Sequence, residues 1–236
     1  MIRRPIASTT RIILGLLSVA LMLAGYSWLS YRQHQKNPKD TTIPNWSQLS
    51  EGVQRSIQWN ERLEDRWLTD DATATLTRLF AGLGLAVVGS CVLGIAMGCS
   101  QSVEAFLAPP LSFLAKVPAT AVIAVFMALV GLGMKMYLTM IVFGILPSMA
   151  ITVYQSVKAF PDELQYKAYT LGASHMEVVC NVIFPYVLPK LLEATRLMIG
   201  PAMVYLIAAE MLFGDVGFGY RIRIQSKLLN MGVVYP

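Results

Sequence analysis

The chain has 236 residues, of which 55% are hydrophobic and only 14% charged, with a net charge of +5. Its mean hydropathy is +0.54, and no soluble core of this size hides so much apolar surface, since a soluble chain carries about 25% charged residues. Disorder is excluded, and so is a disulfide-stapled secreted module, because three cysteines (Cys91, Cys99 and Cys180) are too sparse a framework. The composition is that of a membrane protein.

A hydrocarbon layer about 30 Å thick takes roughly 20 helical residues to cross. In chain order, five stretches reach or approach that length: Ile12–Ser30, Leu79–Gly98, Ser112–Gly131, Tyr137–Val157 and Leu197–Phe213. The fifth is short unless its helix begins near Leu191. Arg3, Arg4 and Arg11 precede the first span and place the N-terminus in the cytoplasm. A cleaved signal peptide is the competing reading of the same basic flank and moderate apolar run. With the N-terminus inside, Tyr31–Thr75 is extracytoplasmic, with six Lys/Arg against seven Asp/Glu. Within it, Trp46–Leu49 and Val53–Trp67 read as surface amphipathic helices at the lipid interface. The basic pI near 9.2 reflects scattered residues, so no nucleic-acid partner is expected. Alternation then puts Ser100–Pro110 inside, the Gly131–Lys135 turn outside and Lys158–Lys190 inside. Gly94 and Gly98 have the spacing that lets helix backbones approach closely. Pro118, Pro147 and Pro201 fall within spans, where neighbouring helices can satisfy the freed carbonyls.

The 158–190 loop is too polar to span and too patterned for a linker. Pro161-Asp162-Glu163 opens a helix, with the acids at the positive end of its dipole. Leu164, Ala168 and Leu171 make one apolar stripe, and Gly172 is placed to stop the helix in the left-handed conformation. Ser174-His175-Met176-Glu177 reads as a capping box that starts a second helix. Val178, Val179, Val182 and Ile183 form its apolar face, and Pro185 and Pro189 end or bend it. The expected result is a rigid helix–turn–helix suited to docking against a soluble partner.

This run, Tyr166-Lys167-Ala168-Tyr169-Thr170-Leu171-Gly172-Ala173-Ser174 and on to Val182-Ile183-Phe184-Pro185, resembles the EAA loop of ABC-importer permeases. Gly172, Val182, Pro185 and Ala168 match the family spacing, whereas Tyr166 and Lys167 stand where the family has Glu and Ala. The resemblance covers roughly Thr73–Tyr220. It takes in Thr75-Leu76-Thr77-Arg78, Val117-Pro118, Ala208-Ala209-Glu210-Met211 and Gly217-Phe218-Gly219-Tyr220. The last two motifs are similar to the nitrate/taurine/sulfonate branch of type I importers, which often has Trp where Met203 stands.

The resemblance implies an all-α polytopic bundle with a MetI-like permease core in a bacterial inner membrane. It further implies a second permease copy, two cytoplasmic ATP-binding subunits and an extracytoplasmic solute-binding protein. Tyr166, Ala168, Leu171, Gly172, Ala173, Ser174, Glu177 and Pro185 would form the ATPase-coupling loop. No cofactor is expected on this chain: it has no G-x-x-x-x-G-K-[S/T], so ATP and Mg belong to the partner ATPase. Residues 1–30 are then the N-terminus and first transmembrane helix, 31–75 an extracytoplasmic segment, and 76–236 the permease core. Family members usually carry a further span after Gly-Phe-Gly-Tyr. Ser226–Pro236 is too short and polar for one, so either that helix lies outside this sequence or the C-terminus ends differently.

Lys116, Pro118, Met203, Glu210, Arg221 and Arg223 are the pathway or interface candidates. Glu210 lies within apolar Val204–Phe213, where a carboxylate is costly unless paired, hydrated or protonated. It serves the pathway or an interface, or it is held by an amide, a hydroxyl or a cation. Lys116 lies near the inner end of the third expected span and either snorkels to the interface or serves the pathway. Arg221, Arg223 and Lys227 fall near the outer face. They attract an anionic solute, contact an acidic binding protein or meet lipid headgroups. Glu193 and Arg196, one turn apart, are expected to pair. Gly214–Gly219 lacks the phosphate-loop lysine and reads as a turn. His34 and His175 are isolated, and neither a metal motif nor a hydrolase elbow occurs, so no enzyme is expected. A secondary transporter or channel without an ATPase is the alternative reading. Nitrate, taurine, an alkanesulfonate and bicarbonate are all compatible solutes.

Overall fold

The computed structural model describes residues 7–38, 40–57 and 67–235. All regular structure among them is helical. They divide into two compact units, Thr69–Arg221 and Met1–Leu68 with Ile222–Pro236.

In the smaller unit, α1 (Ser8–Lys36) is long and apolar enough to cross a membrane, and none of its apolar window is buried. A short connection leads to α2 (Trp46–Ile57). Asn45 and Gln48 cap α2 reciprocally, Asn45 N donating to Gln48 Oε1 at 2.9 Å and Gln48 N to Asn45 Oδ1 at 2.8 Å. The Tyr26 hydroxyl donates to the Pro44 carbonyl at 2.6 Å, and Trp46 Nε1 donates to Ser27 Oγ at 3.0 Å, holding α2 to the end of α1. The two expected surface helices are therefore one as far as Ile57. The remainder of Val53–Trp67, up to Arg66, lies outside the described residues, and Trp67 itself starts the next helix.

The larger unit is built on α6 (Met134–Lys158), whose Met136, Met140, Ile141, Ile145, Met149, Ala150 and Val153 are buried. Helix α3 (Trp67–Cys99) runs parallel to it. The contact is a ladder of small residues every fourth position: Gly82, Ala86, Ser90, Gly94 and Gly98. A Cβ on Gly82 would sit 2.7 Å from Ile141 Cδ1, and one on Gly94 2.5 Å from Val153 Cβ. Ser90 Oγ donates to the Leu146 carbonyl at 3.1 Å within this seam. Close backbone approach is the way helices gain dispersion energy where lipid removes the hydrophobic drive.

Two expectations are corrected here. The third span is not the continuous Ser112–Gly131. It comprises α4 (Gln101–Leu114), a break at residues 115–118, a 3₁₀ turn (Ala119–Val122) and α5 (Ile123–Val130), with the two arms bent by 84°. Val117 is driven out of the helical region by Pro118, which stops α4. The 101–110 segment, expected only to lie inside, is helical, and its Glu104 is held by the Tyr154 hydroxyl and by Lys158 Nζ at 2.9 Å. Lys116 accordingly sits at the break and not near the end of a span.

The second correction concerns Pro185 and Pro189, which do not end a short helix. Helix α7 (Asp162–Thr170) is followed by α8 (His175–Val178), a π turn (Val179–Ile183) and α9 (Phe184–Phe213), the last three forming one 39-residue helical run. Pro185 falls inside this run, directly after the π turn, where the hydrogen-bond register has already shifted. The fifth span thus begins well before Leu191. The chain continues through α10 (Phe218–Lys227) and α11 (Met231–Val234).

Candidate functional site

Two places concentrate polar chemistry in the larger unit, and both are products of helix ends.

The first is the elbow between α7 and α8. Pro161 caps α7, with Asp162 and Glu163 in its first turn. At the other end Gly172 takes φ +85°, its N–H donating to the Tyr169 carbonyl at 2.9 Å, and Ala173 N donates to the Ala168 carbonyl at 3.1 Å. This is the Schellman arrangement, which uses up the last carbonyls of the helix. Two residues later Ser174 and Glu177 close a capping box, with Ser174 N on Glu177 Oε2 at 2.7 Å. Tyr169 Oη lies 3.0 Å from His175 Nδ1 across the turn. The amides of Leu171, Gly172, Ala173, Ser174 and Glu177 all have partners, which makes the corner stiff.

The elbow is fastened from below and bare above. Val178 is buried, and Ala168 and Ala173 pack on the core. Phe160 meets Tyr186 edge-to-face with ring centres 5.1 Å apart. Leu171 is 88% exposed, and Leu164, Tyr166 and Met176 are exposed with it. The expected Leu164–Ala168–Leu171 stripe is therefore split, because only Ala168 finds core to cover it. Pro185 belongs to α9, below the elbow. A pocket of about 150 Å³ lies beneath the corner, lined by Lys158, Asp162, Gln165, Tyr169 and His175 among others.

The second place is a buried charge cluster joining α3 to the end of α9. Glu210 is wholly enclosed. Its carboxylate accepts from Arg78 Nη1 at 2.7 Å, from Thr75 Oγ1 at 3.1 Å and from the Gly219 amide at 3.0 Å. Alongside, Asp71 accepts from Arg221 Nε at 2.6 Å and from the Gly217 amide at 2.8 Å. Thr75 Oγ1 also accepts from the Phe218 amide at 3.0 Å, so one hydroxyl serves both sides. The Arg78 guanidinium lies 4.3 Å from the Tyr137 ring centre. Two carboxylates and two guanidiniums thus balance one another, which is the condition for burying them at all.

The turn is shaped around the carboxylate. Gly217 has φ +120°, and a Cβ there would lie 2.6 Å from Glu210 Oε1. Neither Thr75 and Arg78 as Glu210's partners nor Asp71 as Arg221's were singled out from sequence. Their signal was present, because positions i, i+4 and i+7 put three polar side chains on one face at the start of an apolar helix.

The other candidates scatter. Met203 is half-buried against the core, and Pro118, exposed, starts the 3₁₀ turn beside exposed Lys116. Arg221 belongs to the charge cluster, whereas Arg223 falls in the smaller unit. Glu193 and Arg196 are both exposed and make no ion pair with each other. Such pairs are weak where water or headgroups compete.

Residues 82–233 match the family model described as "binding-protein-dependent transport system inner membrane component". The taurine transport system permease protein of Escherichia coli is 30% identical over 72% of this chain and 62% of its own length. The nitrate import permease protein of Synechocystis is 27% identical over 66% of this chain and 57% of its own. A chain of the MetNI methionine ABC transporter, in an inward-facing conformation, superposes with a TM-score of 0.54 at 19% identity. That match covers 66% of this chain and 78% of that one, and supports the fold. The chain spans about three fifths of the length of the curated relatives it matches first.

Proposed function

Because this chain belongs to the family of binding-protein-dependent transport system inner membrane components, we propose that it is the permease subunit of an ATP-binding-cassette importer for a small anionic solute. Relatives named for taurine, aliphatic sulfonates and nitrate motivate that solute class. In this reading two copies enclose the path, a solute-binding protein delivers from outside, and ATP with Mg is bound by two separate cytoplasmic subunits. Tyr166, Leu171, Gly172, Ser174 and Glu177 then face those subunits from the cytoplasm, with Ala168 and Ala173 fastening the loop to the core behind them, and the N-terminus lies on the same side.

One observation carries the reading: the stiff elbow bears an uncovered apolar tip and continues directly into a 39-residue helical run. An apolar side chain as bare as Leu171 is costly in water and is the mark of a contact surface. A displacement applied there is not absorbed by the capped corner and passes along α9 to the charge cluster at Glu210. Closure of the ATPase pair would push the elbows and rock the helices to open the path outward, and hydrolysis would reverse the motion.

The test is co-purification of the nucleotide-binding subunit with Leu171→Asp. The interface should weaken at least tenfold, as expected for a central apolar anchor. Retention of the ATPase at wild-type stoichiometry by this variant would reject the elbow as the coupling surface.

A further inference from the structure

Lys116 occupies a depth at which a lysine has no ordinary use. Glu104, near the start of α4, is held by Tyr154 and Lys158 at the end of α6, and Leu111 packs with Ala150 and Leu146. Helix α4 is therefore antiparallel to α6, each residue advancing about 1.5 Å. Carried forward, that register brings the 115–118 break level with about residue 146, the middle of α6. Beyond the break, Phe126 meets Phe143 edge-to-face at 5.0 Å between ring centres, at nearly the same depth. In a layer about 30 Å thick, the middle of a span lies about 15 Å from either surface. A four-carbon stem does not bridge that distance, so snorkelling is ruled out by geometry.

No internal counter-charge is available either. Glu104 is occupied at the far end of α4, and Glu210 is bonded in the charge cluster. Among the described residues neither Lys116 Nζ nor the exposed Thr120 hydroxyl has a partner. A lysine facing hydrocarbon here would be costly even by the lower scales. Water on that side, and a passing anion, remove the penalty. A second copy of the chain across the same space would add a second ammonium and strengthen the positive field.

We propose that Lys116 is a specificity-determining residue of the transport path, its mid-depth ammonium beside the break in the third span taking the oxyanion group of the solute, with the Thr120 hydroxyl as a second donor. The proposal deepens the permease reading and rests on it. It predicts selectivity for small monovalent oxyanions over neutral or cationic molecules of equal size.

The experiment uses membrane vesicles carrying the full chain with Cys91, Cys99 and Cys180 replaced by Ala, and Thr120→Cys as reporter. The probes are two membrane-impermeant methanethiosulfonates of similar size, one bearing a sulfonate and the other a trimethylammonium. The sulfonate reagent should label Cys at 120 about tenfold faster than the cationic one. Adding Lys116→Gln should abolish that preference, and Lys116→Arg should keep it. If Thr120→Cys lowers expression, Ala121→Cys, on the same exposed face, reports instead. Labelling by neither reagent, or equal rates whether or not Lys116 is present, overturns the proposal. Retention of the ATPase by the Leu171→Asp chain would instead reject the coupling elbow of the permease reading and leave this labelling pattern standing, so the two failures are distinguishable.

Discussion

Arg78 and Glu210 meet at 2.7 Å with the carboxylate fully enclosed and the guanidinium 12% exposed, so screening by water is slight. Removing one partner of such a pair leaves an uncompensated charge and typically costs about 3–5 kcal/mol, whereas removing both is far cheaper. Arg78→Met should therefore lower the melting temperature of the purified subunit sharply. Adding Glu210→Leu to Arg78→Met should recover a large part of the loss. Strictly additive losses in the double variant would mean the pair is not energetically coupled. The same cluster marks what a sequence does and does not disclose about a residue. That Glu210 needs a donor follows from its apolar neighbours. That the donors are Thr75, Arg78 and the Gly219 amide does not follow, because two of them are more than 130 positions away. The glycines of the following turn become intelligible only once the carboxylate they wrap is in place.

At the scale of elements, the elbow was the most legible part, because capping chemistry is local: a glycine, a serine and a glutamate at fixed offsets carry the geometry. Gly172 offers a clean test of the rigidity argument, since its φ is +85° and a Cβ there would meet nothing within 4 Å. Any effect of substitution is then backbone strain and not a clash. Gly172→Val should cost about 1–2 kcal/mol at that corner and uncouple ATP hydrolysis from uptake, while Gly172→Asn, which tolerates the left-handed region, should stay close to wild type. Equal uptake per ATP hydrolysed in the valine variant would remove rigidity from the mechanism. The spans were less legible than the elbow. Hydropathy found where apolar residues are, but it averaged over the break at Pro118 and began the fifth span no earlier than Leu191. A proline stops one helix at Pro118 yet sits inside another at Pro185, just after a π turn.

At the scale of the whole larger unit, α6 is a spine, with α3 laid parallel along it and α9 along another side, so force entering at the elbow meets few compliant joints. The seam between α3 and α6 has almost no room, as the small-residue ladder shows, and its tightness decides whether the two helices move as one. Gly94 and Gly84 separate packing from the intrinsic effect of replacing a glycine in a membrane helix. A Cβ on Gly94 would lie 2.5 Å from Val153 Cβ and 2.8 Å from the Ala150 carbonyl, whereas one on Gly84 meets nothing within 4 Å. Gly94→Val should force the helices apart at an overpacking cost of about 1–3 kcal/mol, lowering the thermal midpoint of the detergent-solubilised chain by several degrees. Gly84→Val, pointing away from the seam, should shift it little. If the seam also carries the motion, Gly94→Val will reduce uptake per ATP hydrolysed even in the fraction that remains folded, because α3 then slips on α6 instead of moving with it. A Gly94→Val chain as stable and as well coupled as the Gly84→Val chain would show that α3 and α6 are not gripped together, and the transmission route through this helix pair would be lost.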